Sequence, residues 1–201
     1  KHKFFFSVFV YFFILLFLSL GSWQIIRLNW KLELISQIEK SINSEPILFN
    51  GTNTHNFKKI LFDPNLSNSK LIYLYSLNQD GEPGFDVINT ISINNENFLL
   101  NRGWIPKNFK NKNFAIKDKD FKGILKKKSN KNYFKPENNL SNNYWFTLND
   151  EDLFKFTGLK FSPFIIYEID SRLQFPKTKK IDTNISNNHL KYSLTWFSLA
   201  I

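Results

Sequence analysis

Residues 4–20 read FFFSVFVYFFILLFLSL, an apolar run without a single charge. Continued through Gly21, Ser22, Trp23 and Gln24 to Ile26, it reaches the roughly 20 residues that a helix needs to cross the hydrocarbon core of a bilayer. A transmembrane helix is therefore predicted over 4–26. A cleaved signal peptide is the competing reading, but the apolar region is long and Ser19–Ser22, SLGS, is a poor substitute for a small-residue cleavage site. Lys1 and Lys3 on one flank are matched by Arg27 and Lys31 on the other, so the positive-inside rule leaves the orientation open.

The helical pattern continues as a juxtamembrane segment over 27–44. Leu20, Trp23, Arg27, Trp30 and Leu34 recur at intervals of three and four and share one face. That face has two readings: an interfacial aromatic belt with a snorkelling arginine, or a docking stripe for a partner helix or a flat aromatic cofactor. Glu45-Pro46 ends the pattern, because proline disfavours helix in the residue before it.

From 45 to 180 the pattern changes to short runs rich in β-branched and aromatic residues: 71–77 (LIYLYSL), 85–93 (FDVINTISI), 97–100 (NFLL) and 161–170 (FSPFIIYEID). These predict strands. Asp80-Gly81 and Pro83-Gly84 read as turns, and Asn94–Glu96 is short enough to close an antiparallel hairpin. One helix is expected after Asn149, a good N-cap, with Asp150, Glu151 and Asp152 at its positive end and Gly158 as its stop. The expected fold is thus an α+β membrane protein whose β-rich domain is an antiparallel meander or small barrel with one short helix. Thr178–Asn188 reads as a polar linker. The last stretch, 190–201, is again apolar and reads as the start of a second transmembrane helix, with an apolar C-terminal strand or helix of the domain as the alternative.

Composition narrows the chemistry. The chain has no Cys and no Met, which excludes disulfides, thiolate nucleophiles and the soft sulfur ligands that select copper(I) or iron–sulfur clusters. The missing Met also implies that residue 1 is not the translation start. Of the net charge of +10, the segment 107–135 supplies +9, eleven lysines against Asp118 and Asp120. Interleaved with Phe109, Phe114, Phe121, Tyr133 and Phe134, it has the character of a phosphate-attracting surface. Yet Lys, Asn, Ile and Phe are all abundant and all have A- and T-rich codons, so compositional bias is the simpler account and no nucleic-acid partner is expected. Phosphate-binding loops, a nucleophile elbow and paired zinc ligands are absent, and an enzyme is not expected. The histidines, His2, His55 and His189, are far apart; His189 stands out only because it precedes the second apolar run, where an imidazole has the chemistry to ligate haem iron.

Four stretches together resemble the surfeit-locus protein family of cytochrome c oxidase assembly factors: Gly21–Ile35 (GSWQIIRLNWKLELI), Asn101–Pro106 (NRGWIP), Tyr144–Asp150 (YWFTLND) and His189–Phe197 (HLKYSLTWF). The resemblance does not extend to the lysine-rich 107–135, and Ser193 and Ser198 stand where small apolar residues are expected. It implies two transmembrane helices around an extracytoplasmic β domain, in a bacterial cytoplasmic membrane or, as the alternative, the mitochondrial inner membrane. It further implies work on oxidase subunit I beside the haem A synthesis machinery. On that basis His189 becomes the candidate axial ligand of haem A, with Trp23, Arg27, Trp30 and Trp196 around the macrocycle or its propionates. Gln24, Arg102, Gly103 and Trp104 become partner-binding or structural residues; for NRGWIP the plain alternative is a bulge at Gly103 and a core anchor at Trp104. An extracytoplasmic sensor domain between two helices is the rival function.

Overall fold

The computed structural model describes residues 1–114, 120–128, 134–170, 173–179, 181 and 187–201. The chain divides into two compact units, Lys1–Lys40 together with the segment that carries the C-terminal helix, and Ser41–Ile181.

The first helix, α1, runs unbroken over His2–Asn43. No proline interrupts it, and Ser7, Ser19 and Ser22 each donate their hydroxyl to the carbonyl four residues back, at 2.8–3.0 Å. That bond satisfies a polar side chain without help from water. Among the described residues α1 is the one helix long and apolar enough to cross a membrane, and only 6% of its apolar window is buried by the rest of the chain. It is not the core helix of a soluble fold. The C-terminal helix, α3, covers His189–Ala200.

Among the described residues the second unit is built on a sheet of seven strands: β1 (Ile47–Leu48), β2 (Lys59–Phe62), β3 (Leu71–Leu77), β4 (Pro83–Ile93), β5 (Glu96–Pro106), β6 (Phe121–Lys127) and β7 (Phe164–Glu168). Their spatial order is β1-β2-β6-β7-β5-β4-β3. The meander expected from the sequence accounts for β3, β4 and β5, whose second turn is Asn94-Asn95 with φ of 46° and 68°. Two consecutive positive φ values give the hairpin turn whose twist matches that of the strands.

The expectation of a purely antiparallel meander or small barrel needs correction. β7 pairs parallel to β5, and β1 parallel to β2, so the sheet is mixed; among the described residues no ladder joins β1 to β3 to close a barrel. The parallel pair is possible because the long excursion through β6 and a short helix supplies the crossover. Pro83-Gly84 is also not a turn but the start of β4, a strand position that tolerates proline. Gly84 is needed there because a Cβ would lie 2.5 Å from the Trp104 ring.

Both faces of the sheet are covered. Phe98 and Leu100 of β5 point into one core with Ile60, Phe62, Phe121 and Ile166. Leu99 between them points into the other with Ile72, Ile88 and Trp145. The helix α2 (Asp150–Thr157) adds Leu153 to this second core. As expected, Asn149 caps α2, accepting from Asp152 N at 2.8 Å, and Gly158 ends it at φ 77°. The carboxylate of Asp152 accepts from Asn138 and Asn149, both at 2.8 Å, so this acid serves the capping network. Of the expected linker, residues 180 and 182–186 lie outside the described residues; Lys177–Lys179 pack along the sheet.

Candidate functional site

Within the first unit, α1 and α3 pack antiparallel along a seam of three levels. Phe17 stacks on Trp196, with ring centroids 5.8 Å apart and an interplanar angle of 23°. One turn further on, Ser193 is buried and donates its hydroxyl to the Gly21 carbonyl at 3.1 Å. A Cβ on Gly21 would sit 2.6 Å from the Phe197 ring. Glycine therefore sets how closely the helices approach, as small residues do where apolar helices meet. At the third level the Gln24 Oε1 and His189 Nδ1 atoms lie 2.7 Å apart, both side chains half-buried. His189 opens α3, so its imidazole stands at the mouth of the seam rather than in its middle.

Of the residues the sequence singled out, the structure thus joins Gln24, His189 and Trp196 with Gly21, Ser193 and Phe17. Trp23, Arg27 and Trp30 lie on the neighbouring face of α1, about 100° around the helix at 3.6 residues per turn. Trp23 and Trp30 are both about half exposed, and the Arg27 guanidinium lies 4.6 Å from the Trp30 ring centroid. That is cation–π distance. His55 is exposed in a loop of the other unit.

In the sheet unit, NRGWIP forms the centre of a buried polar layer. The β4–β5 register slips between Val87 and Ile88, leaving Arg102 as the extra residue of a bulge, with Gly103 at φ 123°. A Cβ there would collide with the Lys177 backbone. Close approach is needed because Trp104 and Lys177 exchange two backbone hydrogen bonds of 2.8 Å. Trp104 is buried and donates its indole N–H to the Ser76 carbonyl at 3.3 Å. Arg102 is 2% exposed and pairs with Glu168, Nε to Oε2 at 3.6 Å. Burial lowers the guanidinium pKa more than Glu168 raises it, so desolvation dominates even with a partner in place.

On the opposite face, Asp86 accepts from Ser76 Oγ at 2.6 Å and from Asn101 Nδ2 at 3.1 Å, and Lys179 Nζ lies 2.8 Å from its carboxylate. Burial, reinforced by the Asp86 charge, pushes the Tyr167 hydroxyl up to about 12. Sequence reasoning missed Asp86, Glu168 and Lys179. The available signal was an acid inside each of two apolar strands, FDVINT and FIIYE, where a charge is retained only when paired.

In the described part of the basic stretch Lys107, Lys112, Lys122, Lys127 and Lys135 are exposed, while Lys110, Lys126 and Lys128 are half-buried. Lys110 Nζ donates to the Asn142 carbonyl at 2.7 Å and lies 5.4–5.6 Å from the rings of Tyr73, Phe85 and Tyr144. Lys112 caps the Phe109 ring at 3.8 Å. Residues 115–119 and 129–133 of this stretch lie outside the described residues.

Comparison with known proteins matches residues 11–201 to the SURF1 family. A SURF1-like protein of Rickettsia conorii is 31% identical over 214 residues, covering 98% of this chain and 86% of the relative. Surfeit locus protein 1 of Gallus gallus is 27% identical over 211 residues, 90% of this chain and 67% of its own length. A SURF1-like protein of Dictyostelium discoideum is 24% identical over 255 residues, 100% of this chain and 93% of the relative.

Proposed function

This chain belongs to the SURF1 family, and from that premise we propose that it is a membrane-anchored, non-enzymatic assembly factor for cytochrome c oxidase that holds haem A for delivery to subunit I. The apolar α1 is the anchor and α3 the beginning of a second membrane helix. The β domain stands on the outer face of a bacterial cytoplasmic membrane, where subunit I and the machinery that makes haem A are its partners.

The observation that carries the haem part of this reading is the position of His189. Its imidazole opens at the mouth of the α1–α3 seam, with one ring nitrogen against Gln24 and the other left for a ligand bond. His189 would hold the iron of a haem through that nitrogen, a bond that imidazole commonly makes. The donor set fits: a half-buried imidazole, the aromatic pair Phe17 and Trp196 further along the seam, and Arg27 on the adjoining face as a cation for a propionate. Trp23 and Trp30, exposed beside Arg27, supply flat surface for the macrocycle edge. The chain's own part is to bind and orient and to shield the group from water; no bond is made or broken in it.

The test is the optical spectrum of the full-length protein, purified in detergent from cells that make haem A, beside His189→Ala. A haem spectrum that is lost or shifted in the variant supports axial ligation and the carrier role. A protein that stays colourless while haem A is plentiful overturns the carrier role and leaves a scaffold that recruits oxidase subunits.

A further inference from the structure

We propose that Gln24 is a positioning residue for His189: its side-chain oxygen holds the imidazole as the Nδ1–H tautomer, so that Nε2 is the nitrogen presented for coordination. This rests on the haem-binding reading above but names something that reading leaves open, namely which ring nitrogen is the ligand and what selects it.

The argument begins with the contact itself. Nδ1 and Oε1 are 2.7 Å apart, a distance that requires a proton between them, because two lone pairs facing each other so closely repel. An amide oxygen only accepts, so the proton belongs to Nδ1. A neutral imidazole has one N–H, and placing it on Nδ1 leaves the Nε2 lone pair bare. A ring held in this way also cannot swing freely about its Cβ–Cγ bond, so its Nε2 direction is set as well as its tautomer.

The surroundings make this bond more than a passing contact. One turn away, Ser193 Oγ donates to the Gly21 carbonyl at 3.1 Å and Phe197 fills the space above Gly21. These contacts fix the helices against sliding, so Gln24 and His189 are brought together by the seam rather than by their own attraction. In half-buried, low-dielectric surroundings the bond is also stronger than it is in water. Ligating histidines are ordinarily oriented by such an acceptor on the second nitrogen, and its loss typically weakens metal binding about 10- to 100-fold.

The experiment uses the full-length chain in detergent, with 15N-labelled histidine. Long-range 1H–15N spectra of the haem-free protein report the tautomer directly. The chain has three histidines, so His189→Ala assigns the signal. Titration with ferric haem A then reads binding. Gln24→Leu keeps the bulk and removes the acceptor; Gln24→Glu keeps an acceptor.

The expected result is an Nδ1–H signature for His189 in the wild type, lost in Gln24→Leu and retained in Gln24→Glu. Haem binding should be weakened about 10- to 100-fold in Gln24→Leu and largely retained in Gln24→Glu. An Nε2–H signature in the wild type overturns the proposal even where haem binds through His189. Haem affinity and spectrum unchanged in Gln24→Leu overturn it as well. An Nδ1–H signature in a wild type that takes up no haem overturns the ligand role, and the haem-binding reading with it, while leaving the hydrogen bond as a helix clasp.

Discussion

In the sheet, Arg102 and Glu168 form an ion pair with both side chains at most 4% exposed; in the helix seam, an amide and an imidazole meet half-buried. The first pair sits on a β-bulge whose backbone is clamped by Lys177, with both ion-pair partners inside the protein. The second sits at the open end of a helix pair, with a lone pair to spare. A buried ion pair inside the sheet is a device for holding one arrangement of the core, whereas a half-buried amide–imidazole pair at the end of a helix is a device for holding something else. Depth of burial and spare bonding capacity separate the two, although a reader of motifs alone would mark both NRGWIP and GSWQ as functional.

The contrast can be broken most forcefully in the sheet. Arg102→Leu or Glu168→Leu should each destabilise the protein by about 3–5 kcal/mol, because each removes one partner of a buried ion pair. The double substitution should recover most of that loss. Urea unfolding of the full-length chain, followed by tryptophan fluorescence, measures all three. A double variant as unstable as the singles would mean that the two residues do not act as a pair.

Gly21→Leu should do the reverse, wedging α1 from Phe197 while leaving the sheet within about 0.5 kcal/mol of its stability, as substitutions outside a packed core usually do. The His189 tautomer signal should disappear with it. Adding Phe197→Ala, which makes room for the new side chain, should bring part of it back. Loss of sheet stability in Gly21→Leu would show that the two regions are not independent.

A pH series sharpens the sheet side further. Tyr167 has its pKa raised from 10.0 to about 12 in the folded protein, so the native state retains this proton after the unfolded chain has released it. Stability from this group is therefore complete below pH 10 and is lost as pH rises towards 12. Tyr167→Phe should flatten that part of the curve of urea midpoint against pH. The smallest effect expected is that of Asn149→Ala, about 1 kcal/mol from the lost cap of α2, with no change at the helix seam.

How much of this was legible in sequence depended on the range of the interaction. Strands β3, β4, β5 and β7 follow from local runs of β-branched and aromatic residues, and α2 follows from Asn149, three consecutive acids and Gly158. The bulge at Gly103 was readable as a plain alternative because glycine inside a strand pattern is itself a signal. Strand β6, FKGILKK, was hidden inside the lysine-rich stretch: its apolar residues at 121 and 123–125 were outweighed by four flanking lysines. β1 and β2 are too short for periodicity to register. The mixed topology was not legible at all, since parallel pairing of β7 with β5 is decided by the crossover between them and not by either strand. Gln24 and His189 were each marked from the motifs that contain them, but nothing local says that they touch.

That contact joins residues 165 positions apart in the chain. On a ribosome that makes the N-terminus first, α1 emerges with its half of the seam unfilled and has to wait while the whole sheet is synthesised before α3 can arrive. A chain that stops before α3 never completes the seam. The ligand-presenting arrangement therefore depends on both helices having been made, with the whole sheet synthesised between them.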